Sequence, residues 1–239
     1  MIKKVFEKHE TLFCILLIAV YVVSNSLCVQ SFGVADPRSV VVNTALSVAL
    51  ALLVFVLKRG EYYGFCLPKD PKKFLWFIPL VLIISVNLWS GVNLNHAPQE
   101  IIFHILTMLG VGFIEEVIFR GFLFRMMAKD NLKIAILVNS LTFGIGHIVN
   151  LINGADLVPT LLQVGYATAV GYLFVTIAYR SGSIIPCIIA HSINNALSIF
   201  NVENELSAYV APVFLMIAPI IYVIYINKQY KTTDNIQTV

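Results

Sequence analysis

An all-α, polytopic bundle of about eight membrane helices is the fold class this sequence predicts, and three observations predict it. Hydrophobic residues make up 59% of the 239 and charged ones only 12%, with a mean hydropathy of +0.86, far outside the range of soluble domains. Apolar runs of bilayer-spanning length recur along the whole chain. The lysines and arginines, finally, gather in alternate connecting segments.

The first span, about Leu12 to Phe32, follows a basic opening. It reads as an uncleaved span rather than a signal peptide, because it is long and no small-residue cleavage site follows it. Further spans are expected at about Val40 to Leu57, Phe74 to Leu94, Ile101 to Phe124, Leu132 to Val149, Leu157 to Tyr179, Ser183 to Phe200 and Ala208 to Ile226. No internal repeat or low-complexity linker divides them, so residues 1–239 read as a single integral-membrane domain. With the N-terminus and then every second loop placed in the cytoplasm, only Arg38 of the 16 basic residues falls outside. A multi-pass cell-membrane protein with both termini cytoplasmic follows. The lipid bilayer is its surroundings, and without a basic groove carrying interleaved aromatics, no nucleic-acid partner is expected.

Details within the spans carry smaller expectations. Pro79, Pro212 and Pro219 are placed to kink the third and eighth spans. Gly110, Gly112, Gly144, Gly146, Gly165 and Gly171 predict close packing among the central helices. Ser183 is placed to cap the seventh helix, with Pro186 in its first turn. The loop from Lys58 to Lys73 reads first as a solvated segment with interfacial aromatics, with a substrate-contacting or amphipathic element as the alternative, and Lys228 to Val239 as a short polar, disordered end. Cys14, Cys28, Cys66 and Cys187 have no paired or metal-type spacing and read as free thiols.

The fourth span holds the feature around which the others are organised. Glu115, Glu116 and Arg120 interrupt an apolar helix, where each unpaired charge costs roughly 2.5 to 3.5 kcal/mol. Glu116 and Arg120 are four apart, with the acid nearer the N-terminus, and so form an ion pair on one face. Glu115 lies about 100° round the helix and needs a partner from another one. Three more polar groups sit where lipid should be: His147 in the fifth span, and His191 and Asn195, four apart on one face of the seventh. Any one of them alone reads as a packed, hydrogen-bonding residue. Together they exceed what helix association needs, since interhelical hydrogen bonds average only about 0.6 kcal/mol. A polar chamber is the simpler explanation, and depths of about 12 Å for His191, 15 Å for Glu115 and 20 Å for His147 are compatible with one site. His104 reads as a polar residue near the outer end of the fourth span, and Asn139 and Asn150 either line the chamber or satisfy backbone groups.

The residue types limit the chemistry. Every aspartate falls in a loop or tail, which rules out an intramembrane aspartyl pair. No Gly-x-Ser-x-Gly stretch occurs, and Ser192 beside His191 faces another way. The pattern His-Glu-x-x-His is absent. A glutamate with a histidine remains, and a carboxylate drawn into low dielectric is a stronger base than one in water.

Glu115-Glu116-x-x-x-Arg120, Phe143-x-x-x-His147 and His191-x-x-x-Asn195, in that order on successive helices, resemble the three motifs of the CAAX-protease and bacteriocin-processing family of intramembrane endopeptidases. The resemblance covers residues 101–200, the expected catalytic core. It implies that Glu115 with His147 deprotonates the attacking water, that His191 and Asn195 stabilise the oxyanion, and that Glu116, Arg120 and Phe143 support them. No metal is favoured; zinc held by Glu115, His147 and His191 is the alternative that the family's frequent metalloprotease label suggests. The implied substrate is a small hydrophobic, leader-type or lipidated peptide entering from the membrane or the cytoplasmic side. By family analogy alone, bacteriocin or pheromone processing or self-immunity would be its setting. A non-proteolytic membrane scaffold or immunity protein is the competing class. A transporter is a third, and the lack of an inverted repeat weighs against it.

Overall fold

The computed structural model describes residues 2–234 as a bundle of helices. A short α1 (Ile2–Lys8) leads into α2 (Glu10–Phe32) and α3 (Pro37–Leu57). There follow α4 (Pro71–Leu88), α5 (Pro98–Met127), α6 (Leu132–Ile152), α7 (Leu157–Ser181), the shorter α8 (Ile185–Phe200) and α9 (Ala211–Asp234). Among the described residues, seven helices are long and apolar enough to cross a bilayer, as a multi-pass membrane protein requires.

Local chemistry explains where several of these helices begin. Asp36 caps α3 by accepting the Arg38 N–H at 2.8 Å, with Pro37 at the first helical position. The Arg38 side chain holds the Asp36 carboxyl down, at about 2. Asn131 caps α6 by accepting the Ile134 N–H at 3.1 Å. At the start of α8, Ser183 Oγ accepts the Ile185 N–H at 3.2 Å, and Pro186 lies in the first turn.

The structure departs from the expected spans in four places. α8 is under 18 residues, so at about 1.5 Å per residue it falls short of a 30 Å hydrocarbon core. One face of it is nonetheless enclosed by α4, α5 and α7, burying Pro186, Cys187, Ala190, His191 and Ser192. α4 is broken rather than kinked. Leu75, Trp76 and Phe77 take left-handed backbone (φ +48°, +54° and +61°), and the helix restarts at Ile78 with Pro79 in its first turn, where a proline does no harm. The loop after α3 is not merely solvated. Tyr63 is buried on Phe122, with ring centroids 4.6 Å apart, and the carbonyl oxygen of Gly64 (φ +84°) accepts the Ile184 N–H at 2.9 Å. A side chain at Gly64 would meet the Ile184 backbone nitrogen at 3.0 Å. The expected polar tail, lastly, is helical as far as Asp234, because Tyr230 donates to the Arg180 carbonyl at 2.8 Å and its ring faces Lys73. Residues 235–239 lie outside the described residues.

Two apolar cores result. One joins α1, α2, α3 and α5 through residues such as Phe6, Leu50, Ile118 and Phe122. The other joins α4, α7, α8 and α9 through Phe74, Phe174, Cys187 and Val223. The glycines permit the close approaches between them. A Cβ at Gly112 would lie 2.7 Å from the Ser192 backbone nitrogen, and one at Gly144 would lie 2.7 Å from the Val164 carbonyl, so α5 touches α8 and α6 touches α7 almost backbone to backbone.

Candidate active site

The polar residues meet where α5, α6 and α8 converge between the two cores. At the middle of α5 the backbone changes from α to π geometry over Val117–Leu123, all of it buried. Such a turn inserts extra backbone and leaves carbonyls poorly served. Asn139 of α6 answers one of them, its Nδ2 donating to the Phe119 carbonyl at 2.6 Å. That contact binds α6 to α5 just beyond the two glutamates.

Glu116 and Arg120 form the ion pair the spacing suggests, with Nη1 to Oε1 at 3.0 Å and both side chains fully buried. The guanidinium also lies 4.1 Å over the Phe143 ring and 5.6 Å from the Phe174 ring, so cation–π attraction supplements the pair. A second nitrogen of Arg120 donates to the Gly171 carbonyl at 3.4 Å. Glu115 points elsewhere. Its Oε1 accepts the Tyr21 hydroxyl of α2 at 2.5 Å, and its Oε2 faces His191 Nε2 at 3.5 Å. His191 Nδ1 donates to Glu116 Oε1 at 2.8 Å. One imidazole therefore sits between two adjacent carboxylates, and a proton on Nε2 or on Oε2 is needed to satisfy the longer approach.

His147 does not touch Glu115. Its Nδ1–H donates to the Phe143 carbonyl at 3.0 Å, which leaves Nε2 as the free lone pair of the neutral ring. Phe143 stands edge-on to both histidines, with centroids 5.4 Å from His147 and 5.7 Å from His191. Two cavities adjoin this group. One of about 240 Å³ is lined by Tyr21, Asn25, Glu115, Phe143, His147 and Asn150. The other, about 80 Å³, is lined by Phe143, His147, His191 and Asn195 among others. His147 and Phe143 border both.

Asn195 is held by its backbone: the His104 ring approaches its carbonyl at 3.4 Å and Ser198 Oγ donates to the same oxygen at 2.7 Å. Its side-chain amide, free of hydrogen bonds among the described residues, borders the smaller cavity. One residue earlier, the Asn194 carbonyl accepts Asn87 Nδ2 of α4 at 2.7 Å. His104 is thus a brace for α8, a role its position near the end of a span does not announce.

Residues 96–197 match the family model described as type II CAAX prenyl endopeptidase Rce1-like. Over that stretch the chain is similar to the type II CAAX prenyl endopeptidases. The matched stretch runs from the approach to α5 through α8 and so contains all three motifs, though it is under half of the chain. No curated protein and no solved structure matches. The likeness is to a family of peptidases, and it falls in a chain with seven helices apolar enough to cross a membrane.

Tyr21 is the site contact for which the sequence gives no sign, since a single tyrosine in a long apolar helix has the same pattern as a packed or interfacial one. It lies on α2, outside the matched stretch. A zinc ion held by Glu115, His147 and His191 does not fit the donors as they stand. His191 has both nitrogens turned to carboxylates, His147 has Nδ1 on its own helix, and no three or more of the His, Cys, Asp and Glu side chains among the described residues group as a metal site.

Proposed function

We propose that this chain is a CAAX-type intramembrane protease that hydrolyses a peptide bond in a small hydrophobic, leader-type or lipidated peptide, using Glu115 as general base. The observation that carries the reading is the different environment of two adjacent carboxylates. Glu116 is neutralised by Arg120 and fully buried, whereas Glu115 has a phenol and an imidazole for partners and borders a cavity. Carboxylates set in unlike surroundings take unlike roles.

In this mechanism water in the larger cavity gives a proton to Glu115 Oε2, and the resulting hydroxide attacks the substrate carbonyl. His147, across the same cavity with Nε2 unused, shares the proton. The tetrahedral oxyanion falls on the side of the smaller cavity, where the Asn195 amide and, once turned from Glu115, His191 Nε2 donate to it. Donors of this kind are typically worth about 2.7 to 4 kcal/mol each. The proton then passes to the departing amine as the C–N bond breaks, leaving a carboxylate and an amine.

The segregation of basic residues supports cytoplasmic termini and a cell-membrane location, with substrate arriving from the lipid or the cytoplasm. Processing of a bacteriocin or peptide pheromone, or self-immunity, is the physiological setting that family analogy offers. The test is cleavage of a fluorogenic hydrophobic peptide library by detergent-purified protein, with Glu115→Ala and His147→Ala alongside and with or without chelator. Loss in both variants and indifference to chelation support the mechanism. Cleavage that chelator stops and zinc restores overturns its metal-free form.

A further inference from the structure

We infer that Tyr21 is a positioning residue for Glu115, so that α2, outside the three motifs, is a working part of the site. The inference rests on Glu115 acting as base. Tyr21 is buried, and its hydroxyl donates to Glu115 Oε1 at 2.5 Å, a short contact for a neutral donor and a carboxylate. With Oε1 held, Oε2 is the oxygen turned toward His191.

The chemistry of the donor matters. A guanidinium at this place would cancel the carboxylate's charge, as Arg120 does for Glu116. A phenol fixes the orientation of the carboxylate and leaves its negative charge in place, which is what a base needs while it waits for water. The helix that carries Tyr21 is also locked in depth and rotation. Asn43 of α3 donates to Asn25 Oδ1 at 3.1 Å, Ser26 Oγ donates to Asn153 Oδ1 at 2.6 Å, and Gln30 Nε2 donates to the Ile152 carbonyl at 3.1 Å. These bonds tie α2 to α3 on one side and to the end of α6, just past His147, on the other. A slip of α2 by one residue would carry the phenol about 1.5 Å along and 100° round, away from Glu115.

The test compares wild type, Tyr21→Phe and Cys28→Ala in full-length purified protein. Phe keeps the ring and removes only the donor, while Cys28→Ala loosens the packing of α2 on α3 at Ser39, neither residue lining the cavity. Three readouts are taken: thermal unfolding, kcat and KM on the fluorogenic hydrophobic peptides, and the infrared carboxylate band that disappears in Glu115→Gln. Tyr21→Phe is expected to lower kcat by about 10- to 100-fold, the worth of a hydrogen bond to a charged group, with KM and unfolding temperature near wild type. It should also shift the Glu115 band, while Cys28→Ala leaves both kcat and the band alone. A Glu115 band unmoved by Tyr21→Phe, with wild type cleaving, overturns the role of Tyr21 alone. Equal losses of kcat in both variants overturn it too, since packing would then explain the effect. A band that moves in a protein that cleaves nothing overturns the peptidase reading instead.

Discussion

His191 donates its Nδ1–H to Glu116 Oε1 at 2.8 Å, and Arg120 reaches the same oxygen at 3.0 Å. A single carboxylate oxygen thus joins α5 to α8 and fixes the direction of the imidazole. His191 does not stand free in the chamber; its Nε2 is aimed at Glu115, and what it can do follows from that aim.

Removing Arg120 should therefore cost more than its ion pair. Arg120→Met leaves Glu116 buried without its countercharge, and a loss of about 3 to 5 kcal/mol is expected in denaturant unfolding in detergent. Glu116 Oε2 and Arg120 Nε have no hydrogen-bond partner among the described residues, so the pair is not fully satisfied as it stands. The double replacement Glu116→Met with Arg120→Met should accordingly recover most of that stability. It should not recover peptide cleavage, because His191 loses its anchor.

Two glycines close to the histidines separate packing from propensity. At Gly112 a Cβ would lie 2.7 Å from the Cα and nitrogen of Ser192, both backbone atoms that cannot yield without moving α8. Gly112→Ala should lower stability by about 1 to 3 kcal/mol and cut activity as His191 shifts. At Gly146 nothing lies within 4 Å, so Gly146→Ala should unfold at a temperature close to that of wild type. Parallel thermal melts of the two variants decide the matter.

Asn139 is buried and serves the Phe119 carbonyl in the π turn. Asn139→Leu should destabilise by about 1 to 3 kcal/mol, the usual cost of stranding a buried polar group. Hydrogen exchange should quicken at the amides of residues 117–124 in this variant. Exchange unchanged there would mean that the π turn does not depend on α6.

Asn195 offers the opposite case. Its side chain makes no hydrogen bond among the described residues, so Asn195→Ala should melt near wild type. If the amide serves the oxyanion, kcat should fall about 10²- to 10³-fold with KM little changed, measured on the same fluorogenic peptides.

Much of this arrangement can be read in the sequence because charge in an apolar helix is expensive and therefore conspicuous. Glu115, Glu116, Arg120, His147, His191 and Asn195 stand out for that reason, and the fourfold spacing of Glu116 and Arg120 is enough to pair them. Other features have no such signature. Tyr21 is compatible with lipid, packing or a site alike, and only the neighbour it meets distinguishes them. The π turn follows from how α5 fits between two cores and from Asn139 on another helix, and neither is a local pattern. The left-handed run Leu75–Trp76–Phe77 carries no glycine to mark it. The final turns of α9 look like a frayed polar end until Tyr230, Arg180 and Lys73 are seen together.

The most direct measurement of the central claim is the single substitution Glu115→Gln, which keeps shape and removes the basic oxygen. Purified wild type and variant are matched for unfolding temperature and assayed for cleavage of the same hydrophobic peptide. Cleavage lost in a folded Glu115→Gln protein is the result expected of a glutamate base. Cleavage at the wild-type rate would contradict it and move the chemistry away from Glu115 altogether.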